Sequence, residues 1–303
     1  MSQKTLGLFP GQGSQKVGMG KDLFDATAIA KKIFATADEV LGFSLSKICF
    51  EGPAERLTAT EVAQPAILTV STICYELARE KNPELSLCAA AGHSLGEYSA
   101  LVAAGAISFP DAVMLVHKRG SYMQKAVPVG VGKMVAVLGK EVSEIEAALA
   151  KVSKGVAQIA NINSPGQVVV AGVKDAVDEM IGLLGNAKVM ELSVSAPFHC
   201  SLMKPAEESL SKDLASLTIA PCKFPVYANY SGQAVSQPQQ IRDALRLQVC
   251  GRVRWVECMQ NAIAEISPTE ATEFGMGSVL TGMLKRINPT LPRKNVSGPE
   301  VSA

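Results

Sequence analysis

The stretch that decides the fold reads Leu85-Ser86-Leu87-Cys88-Ala89-Ala90-Ala91-Gly92-His93-Ser94-Leu95-Gly96 and runs on into residues 97–104. An apolar run precedes Gly92 and a helix-like run follows Gly96, so the sequence predicts a strand, a sharp turn and a helix. In this G-x-S-x-G arrangement the turn needs glycine on both sides, and the serine hydroxyl is held up and exposed. The N–H groups that begin the helix would face the same point. Ser94 is therefore a predicted nucleophile.

Composition narrows the class of protein. Of 303 residues, 48% are hydrophobic and 19% are charged, less charge than the roughly 25% of typical soluble domains, so we expect a large core. A net charge of +1 argues against nucleic-acid binding. The absence of an apolar run near 18 residues argues against a membrane span, and the N-terminus does not resemble a signal peptide. Seven scattered cysteines without a C-x-x-C pair predict reduced thiols in a cytoplasmic protein and no zinc site.

Periodicity predicts an α/β protein with an insertion. Before and after the serine turn we expect a strand and helices, at 4–9, 29–41, 66–79, 97–104 and 110–126. A β-α-β-β-α-β order follows, typical of ferredoxin-like units, with strands at 134–138, 156–162, 167–171 and 188–194 and helices at 142–152 and 174–184. We therefore expect an α/β-hydrolase-like large domain (1–128 and 198–290), an inserted ferredoxin-like small domain (129–197) and a flexible tail (291–303).

A serine nucleophile needs a base, and the chain has only His93, His117 and His199. His93 is beside Ser94 on the turn, where its ring would point away from the hydroxyl. His117 lies within a predicted helix and is interpreted as a surface or packing residue. By elimination His199, in a loop at the junction of the predicted domains, is the candidate general base. No histidine follows it and no Asp-Gly pair occurs, so a backbone carbonyl is the expected acceptor for the imidazole.

Two further features each have two interpretations. Gly11-Gln12-Gly13 is compatible with a phosphate loop, but it lacks G-x-G-x-x-G and Gly-Lys-Ser/Thr patterns. Without those patterns the phosphate interpretation is weak, and the loop is instead a candidate source of an oxyanion N–H facing the serine. Arg119 is either an ordinary helix-surface cation or, since apolar residues precede it and Gly120 follows it, an anchor for a substrate carboxylate.

Several segments together resemble the malonyl-CoA:acyl carrier protein transacylases of fatty-acid synthesis over nearly the whole chain. They are Phe9-Pro10-Gly11-Gln12-Gly13-Ser14-Gln15, Gln64-Pro65-Ala66, Gly92-His93-Ser94-Leu95-Gly96-Glu97-Tyr98-Ser99-Ala100-Leu101, Lys118-Arg119-Gly120, Asn163-Ser164-Pro165-Gly166-Gln167, Pro197-Phe198-His199 and Val279-Leu280-Thr281-Gly282. Two segments depart from the family pattern: Cys250-Gly251-Arg252, where an Asn/Ser-Pro step is common, and Gly275-Met276-Gly277, where Gly-Pro-Gly is usual.

The resemblance implies a role for each site residue. Ser94 would be the nucleophile, His199 its base and Arg119 the ligand of the malonyl carboxylate. Gln12 and Leu95 would give the oxyanion N–H groups. The main-chain carbonyl of Gln248 would orient the histidine, so we expect its side chain to be dispensable.

Two residues would shape the acyl pocket. The resemblance implies that His93 lies at the pocket's edge. The ring of Phe198, next to the base, is expected to crowd C2 of the acyl group and favour malonyl over methylmalonyl.

The predicted activity is malonyl transfer from malonyl-CoA to the phosphopantetheine thiol of acyl carrier protein, without a metal or other cofactor. We expect a monomer, and Lys285 and Arg286 are either contacts for an acidic carrier protein or ordinary charges at a helix end. The alternatives are a freestanding polyketide synthase acyltransferase, a serine thioesterase or hydrolase, and a non-catalytic interaction module.

Overall fold

Two β-sheets organise the chain, whose residues 4–192, 194 and 196–300 are described by a computed structural model. The strands of this part of the chain are β1 (Thr5–Phe9), β2 (Leu87–Gly92), β3 (Gly132–Leu138), β4 (Ala157–Ser164), β5 (Gln167–Val173), β6 (Lys188–Glu191), β7 (Val226–Tyr227), β8 (Ala234–Val235), β9 (Glu270–Phe274) and β10 (Arg293–Val296). The fold is mixed α/β.

Helices cover both sheets. The α-helices are α1 (Lys21–Ala26), α2 (Ala28–Leu41), α3 (Leu45–Glu51), α4 (Ala54–Thr58), α5 (Thr60–Lys81), α6 (Gly96–Ala103), α7 (Phe109–Lys125), α8 (Val142–Leu149), α9 (Lys174–Leu183), α10 (Lys204–Ser216), α11 (Pro238–Gln248), α12 (Trp255–Ile266) and α13 (Val279–Ile287). A 3₁₀ turn, Ser201–Met203, precedes α10. In the described part of the chain, no helix is both long and apolar enough to cross a membrane.

The larger sheet has the strand order β10-β9-β1-β2-β7-β8. Its strands are parallel except for β8, which pairs antiparallel with β7. Leu6 and Leu8 pack with α12 and α13 on one face, whereas Phe9 packs in the core on the other face. This alternation follows the two-residue repeat of a strand. All five residues of β1 are buried, as expected for a parallel strand covered on both faces.

The smaller sheet is antiparallel, with the order β4-β5-β3-β6. Its elements follow one another as β-α-β-β-α-β, and α8 and α9 cover one face through an apolar cluster that includes Val135, Ile145 and Val177. A turn at Pro165 and Gly166 joins β4 to β5. β6 ends at Glu191, earlier than the strand predicted over 188–194; Ser193 and Ser195 lie outside the described residues.

Helix α5 begins six residues before its predicted start at residue 66 and contains Pro65. Proline has no N–H, so the carbonyl of Glu61, one turn earlier, has no intrahelical donor at this position. His117 of α7 supplies one, because its Nδ1 lies 2.8 Å from that carbonyl oxygen. Its ring also packs on Phe43. His117 is thus a packing residue that joins α5 to α7.

A short backbone connection ties the smaller sheet to the segment that follows α11. Asn161 of β4 forms an isolated parallel bridge with Val253. The N–H of Val253 donates to the carbonyl of Ala160 at 2.7 Å, and the N–H of Ile162 donates to the carbonyl of Val253 at 3.0 Å. The segment that follows α11 is therefore hydrogen-bonded to β4 of the smaller sheet.

The prediction of a flexible tail from residue 291 is wrong for Arg293–Val296. These residues form β10, the edge strand that pairs in parallel with β9. Val296 is buried in the core, and its carbonyl accepts the N–H of Gly275 at 3.0 Å. Buried pairing with β9 outweighs the polar composition of this strand. Residues 301–303 lie outside the described part.

We expect Val296→Ala to lower the free energy of unfolding by about 2 kcal/mol, because two buried methyl groups are lost. Lys294→Ala is the control, at an exposed position of the same strand; because its ammonium pairs with Glu270 at 3.3 Å, it should lower the free energy of unfolding by no more than about 1 kcal/mol. Urea unfolding of the two variants measures the difference. Equal stabilities would mean that β10 does not pack on the core.

Candidate active site

Ser94 lies on the turn between β2 and α6, with a left-handed backbone (φ 51°). Glycine is required on both sides of it. A Cβ on Gly92 would lie 1.9 Å from the backbone of Gly96, and one on Gly96 would lie 2.0 Å from the carbonyl oxygen of Phe9. Asn229, which follows β7, fixes the turn from outside: its Oδ1 accepts the N–H of Ser94 at 2.7 Å. The turn thus stands at the carboxyl ends of β1, β2 and β7, where parallel sheets bind ligands.

His199 lies beside the serine hydroxyl. Its Nε2 is 2.7 Å from Ser94 Oγ, and its Nδ1 is 3.0 Å from the carbonyl oxygen of Gln248. A carbonyl only accepts, so Nδ1 carries the proton and Nε2 has a free lone pair for the serine proton. His199 also has a left-handed backbone (φ 59°). The backbone carbonyl expected as its acceptor is present.

The environment keeps the His199 ring neutral. Burial, followed by the nearby charge of Arg119, lowers the pKa of His199 to about 3. The imidazole therefore stays deprotonated at Nε2 at neutral pH and down to moderately acidic pH. Its Nε2 therefore carries no proton where it faces the serine hydroxyl.

Arg119 is buried, with 1% of the residue exposed, and is not a surface cation. Two glutamine side chains hold its guanidinium: NH1 donates to Oε1 of Gln64 at 2.7 Å, and NH2 donates to Oε1 of Gln248 at 3.0 Å. NH2 also lies 3.2 Å from Ser94 Oγ. The guanidinium carbon is 5.4 Å from the ring centre of Tyr98. A fixed cation therefore stands next to the serine.

The Gln248 side chain contradicts the expectation that only its carbonyl matters. While Oε1 accepts from Arg119, Nε2 donates to the carbonyl of Ser94 at 3.0 Å and to Oε2 of Glu97 at 2.8 Å. Oε2 of Glu97 also accepts the N–H of Asn229 at 2.8 Å. Gln248 and Asn229 are completely buried. One amide thus connects the cation, the serine turn and a buried carboxylate.

Two backbone N–H groups are available near the serine. The N–H of Leu95, at the start of α6, and that of Gln12, after β1, donate to no acceptor among the described residues. Gly11 allows the two loops to approach, because a Cβ there would lie 2.3 Å from the carbonyl oxygen of His93. The geometry favours the oxyanion interpretation of this loop over the phosphate interpretation.

His93 and Phe198 lie at the edge of the site and do not contact the serine hydroxyl through hydrogen bonds. Nε2 of His93 donates to Oδ1 of Asn163 at 2.8 Å, and burial lowers the pKa of this ring. Phe198 is buried, and its N–H points at the sulfur of Met134 at 3.3 Å.

A cavity of about 380 Å³ joins these residues. Both sheets contribute to its wall. The larger sheet and its helices contribute Gln12, Gln64, His93, Ser94, Leu95, Arg119, Met123, Phe198, His199, Val279 and Met283, and the smaller sheet contributes Met134, Asn161, Asn163 and Val169. The described residues contain no group of three or more His, Cys, Asp or Glu side chains placed to hold a metal ion.

Known proteins match the chain over nearly its full length. The family profile of the acyl transferase domain covers residues 8–286. The malonyl CoA-acyl carrier protein transacylase of Bacillus subtilis (strain 168) is 44% identical over 97% of this chain and 93% of the relative. The chain belongs to this transacylase family.

Solved structures of the family have the same fold. The acyl carrier protein S-malonyltransferase of Vibrio cholerae superposes with a TM-score of 0.94 at 43% identity, covering 98% of this chain and 97% of that one. A type II polyketide synthase acyl carrier protein in complex with its malonyl-transacylase gives a TM-score of 0.94 at 40% identity, covering 98% and 96%.

Sequence reasoning missed three residues of this transacylase site. Gln64 and Glu97 lie in segments that carry the family resemblance, so their position in those segments was an available signal. No signal in the sequence indicated Asn229, because its partners are Ser94 and Glu97, more than a hundred residues away along the chain. All three are buried polar residues.

The two departures from the family pattern leave the histidine acceptor in place. Arg252 pairs with Glu146 of α8 at 3.2 Å, and the N–H of Gly251 donates to the carbonyl of Leu247 in the last turn of α11 at 2.9 Å. Cys250 and Arg252 line a second cavity, of about 400 Å³, that also reaches His199. Met276 packs against the core beside β9.

We expect Gln248→Ala to destabilise the fold by at least about 2 kcal/mol, because the buried Arg119 and Glu97 each lose a hydrogen-bond partner. Gln239→Ala, the same change at an exposed position of α11, is the matched control and should cost less than about 0.5 kcal/mol. Chemical unfolding compares them. A Gln248→Ala protein as stable as the control would restore the view that only its carbonyl is needed.

Proposed function

We propose that the chain transfers the malonyl group of malonyl-CoA to the phosphopantetheine thiol of acyl carrier protein through a malonyl ester of Ser94. One observation carries the proposal: Ser94 Oγ lies 2.7 Å from a neutral imidazole nitrogen and 3.2 Å from a buried guanidinium. The first group suits a nucleophile and the second suits an acyl group with its own carboxylate.

In the first half-reaction Ser94 gives its proton to Nε2 of His199 while Oγ attacks the thioester carbon. The oxyanion accepts the N–H groups of Gln12 and Leu95. When the intermediate collapses, the C–S bond breaks and His199 returns the proton to the sulfur of CoA. The carbonyl of Gln248 stabilises the transient imidazolium through Nδ1–H.

The second half-reaction reverses these steps with a new thiol. The phosphopantetheine thiol gives its proton to His199, and its sulfur attacks the malonyl ester. The C–O bond to Ser94 then breaks, and the protonated His199 restores the hydroxyl. One imidazole thus serves as base and acid in both directions. The proposed reaction uses no metal or redox cofactor.

Arg119 is proposed to bind the malonyl carboxylate. His93 and Phe198 are proposed to form the wall of the pocket around the acyl group. Burial of a carboxylate is costly unless a cation meets it. The guanidinium is held in advance by Gln64 and Gln248, so little side-chain freedom is lost on binding. The ring of Phe198 lines the cavity next to His199, which supports a preference for malonyl over its C2-methylated analogue.

Acyl carrier protein is the proposed partner, with docking near α13. Val279 and Met283 of this helix line the cavity, and the exposed Lys285 and Arg286 lie in its last turn. Arg286 also reaches Gln167 of the smaller sheet at 3.4 Å. These basic residues suit an acidic carrier. The structure of a relative bound to its carrier protein supports the choice of partner.

We also propose the finer architecture: an α/β-hydrolase-like catalytic domain, 1–128 and 198–290, with a ferredoxin-like insertion, 129–197. The parallel order around β1 and β2 supports the first assignment, and the β-α-β-β-α-β antiparallel sheet supports the second. A monomer in the cytoplasm is part of the same proposal. All seven cysteines are free thiols, in keeping with a reducing compartment.

The covalent step tests the function. Incubation with malonyl-CoA should add one malonyl mass to the intact protein, and holo acyl carrier protein should then remove it as malonyl carrier protein. Ser94→Ala should abolish the adduct, whereas Ser99→Ala, within α6 and without an expected role, should retain it. Release of free malonate without transfer to the carrier would favour the thioesterase alternative. An adduct on another residue would refute the assignment of Ser94.

A second candidate is malonyl transfer in a polyketide pathway, favoured by the 40% identity to a transacylase solved with a type II polyketide carrier protein. The chemistry at Ser94 is the same. Specificity constants with a fatty-acid carrier and a polyketide carrier from the same organism decide between the two.

We expect Arg119→Ala to lower the ratio of malonyl to acetyl specificity constants about a hundredfold or more, since two charge-assisted hydrogen bonds are lost. The ratio for Arg119→Lys should lie between those of the wild type and Arg119→Ala, because lysine keeps the positive charge but cannot form two parallel hydrogen bonds to a carboxylate. Lys118→Ala is the neighbouring control; its side chain is 43% exposed and its ammonium pairs with Asp213, so the ratio should not change. An unchanged ratio in Arg119→Ala would mean that another residue binds the carboxylate.

A further inference from the structure

The buried cation of the site has no contacting carboxylate. Arg119 bonds to the side chains of Gln64, Gln248 and Ser94, all neutral. Within the described residues, no Asp or Glu oxygen lies within 4.0 Å of its guanidinium. A buried charge is costly when it is uncompensated, so an opposite charge is expected close by.

Glu97 supplies that charge, and the side-chain amide of Gln248 lies between its carboxylate and the guanidinium of Arg119. Glu97 is 1% exposed and lies in the first turn of α6. Its Oε2 accepts from Nε2 of Gln248 at 2.8 Å, and Oε1 of the same amide accepts from NH2 of Arg119 at 3.0 Å. The glutamine therefore carries the interaction between carboxylate and guanidinium while it keeps them apart. The guanidinium remains able to receive a second carboxylate from the cavity.

A second carboxylate changes the balance of charge. Two buried carboxylates near one guanidinium repel each other, and such pairs retain a proton. We propose that Glu97 is the resident counterion of Arg119 and takes up a proton when the malonyl carboxylate pairs with Arg119. The inference rests on the proposed function, because it requires malonyl to bind there.

The surroundings of Glu97 make this protonation easy near neutral pH. Burial raises the pKa of Glu97 to about 7, against the opposing effects of the Asn229 and Gln248 hydrogen bonds and of Arg119. The other ionisable groups that interact with it are Tyr98 on α6 and Cys258 on α12. Burial raises the pKa of both, so they are neutral at this pH. Asn229 and Gln248 donate to the carboxylate and do not titrate.

The direction of the pH effect follows. Above the pKa of free Glu97 the carboxylate is ionised, so malonyl binding takes up a proton and weakens as the pH rises. Below that pKa Glu97 is already protonated, and the uptake disappears. An acetyl group brings no carboxylate, so its binding should be independent of this ionisation. Selectivity for malonyl should therefore decline at alkaline pH.

Calorimetry of the Ser94→Ala protein, which cannot form the ester, tests the proposal. Malonyl-CoA and acetyl-CoA are titrated at pH 8 in two buffers of different ionisation enthalpy. Malonyl-CoA should take up a measurable fraction of one proton more than acetyl-CoA does. Between pH 8 and pH 9 the Kd of malonyl-CoA should increase by up to about tenfold, while the Kd of acetyl-CoA stays constant.

Glu97→Gln in the same background assigns the proton. It should remove both the uptake and the pH dependence, whereas Glu39→Gln, an exposed change on α2, should leave them. Malonyl-CoA binding without extra proton uptake would overturn the proposal, and so would uptake that persists in Glu97→Gln, which would point to His199. Equal affinity for both thioesters, unchanged by Arg119→Ala, would instead refute the proposed function and the inference with it.

Discussion

The close contact between the start of α6 and the ends of β1 and β2 is the constraint on which the site depends. Only a hydrogen fits where the α-carbon of Gly96 meets the carbonyl of Phe9, and where Gly92 meets Gly96. This contact forces Ser94 into a left-handed conformation and places the first N–H groups of α6 beside the loop after β1. Nucleophile and oxyanion donors are thus products of one packing contact. A methyl group at either glycine would separate them.

Side-chain amides take the place of ion pairs around the reacting groups. Gln64 and Gln248 hold Arg119, and Gln248 also donates to Glu97 and to the carbonyl of Ser94. The side chain of Asn229 accepts the N–H of Ser94 and donates to the carbonyl of Gly92. An amide both donates and accepts, so it can orient a cation and an anion without neutralising either. A direct salt bridge would occupy the paired N–H groups of the guanidinium that a substrate carboxylate would bind. The amides therefore keep the cation fixed and still open to a carboxylate from the cavity.

The sequence predicted the features that depend on local spacing. The serine turn follows from glycines two residues on either side of Ser94, and the strands and helices of the smaller sheet follow from regular alternation. His199 could be found because only three histidines exist. The side chain of Gln248 could not, because its partners Glu97 and Arg119 lie 151 and 129 residues away. Helices α3 and α4 are too short to show periodicity, and β10 was missed because Val296 is its only apolar residue.

The two sheets contribute different kinds of residue to the cavity wall. Apart from His199, which follows the smaller sheet in the chain, the groups that would handle the reacting atoms stand at the strand ends and helices of the larger sheet. Met134, Asn163 and Val169, which close the opposite side, belong to the smaller sheet. Substitutions there would alter the space for the acyl chain while the proton path between Ser94, His199 and Gln248 stays intact. The space around the acyl group can therefore change on the smaller sheet while Arg119 and the reacting groups stay in place.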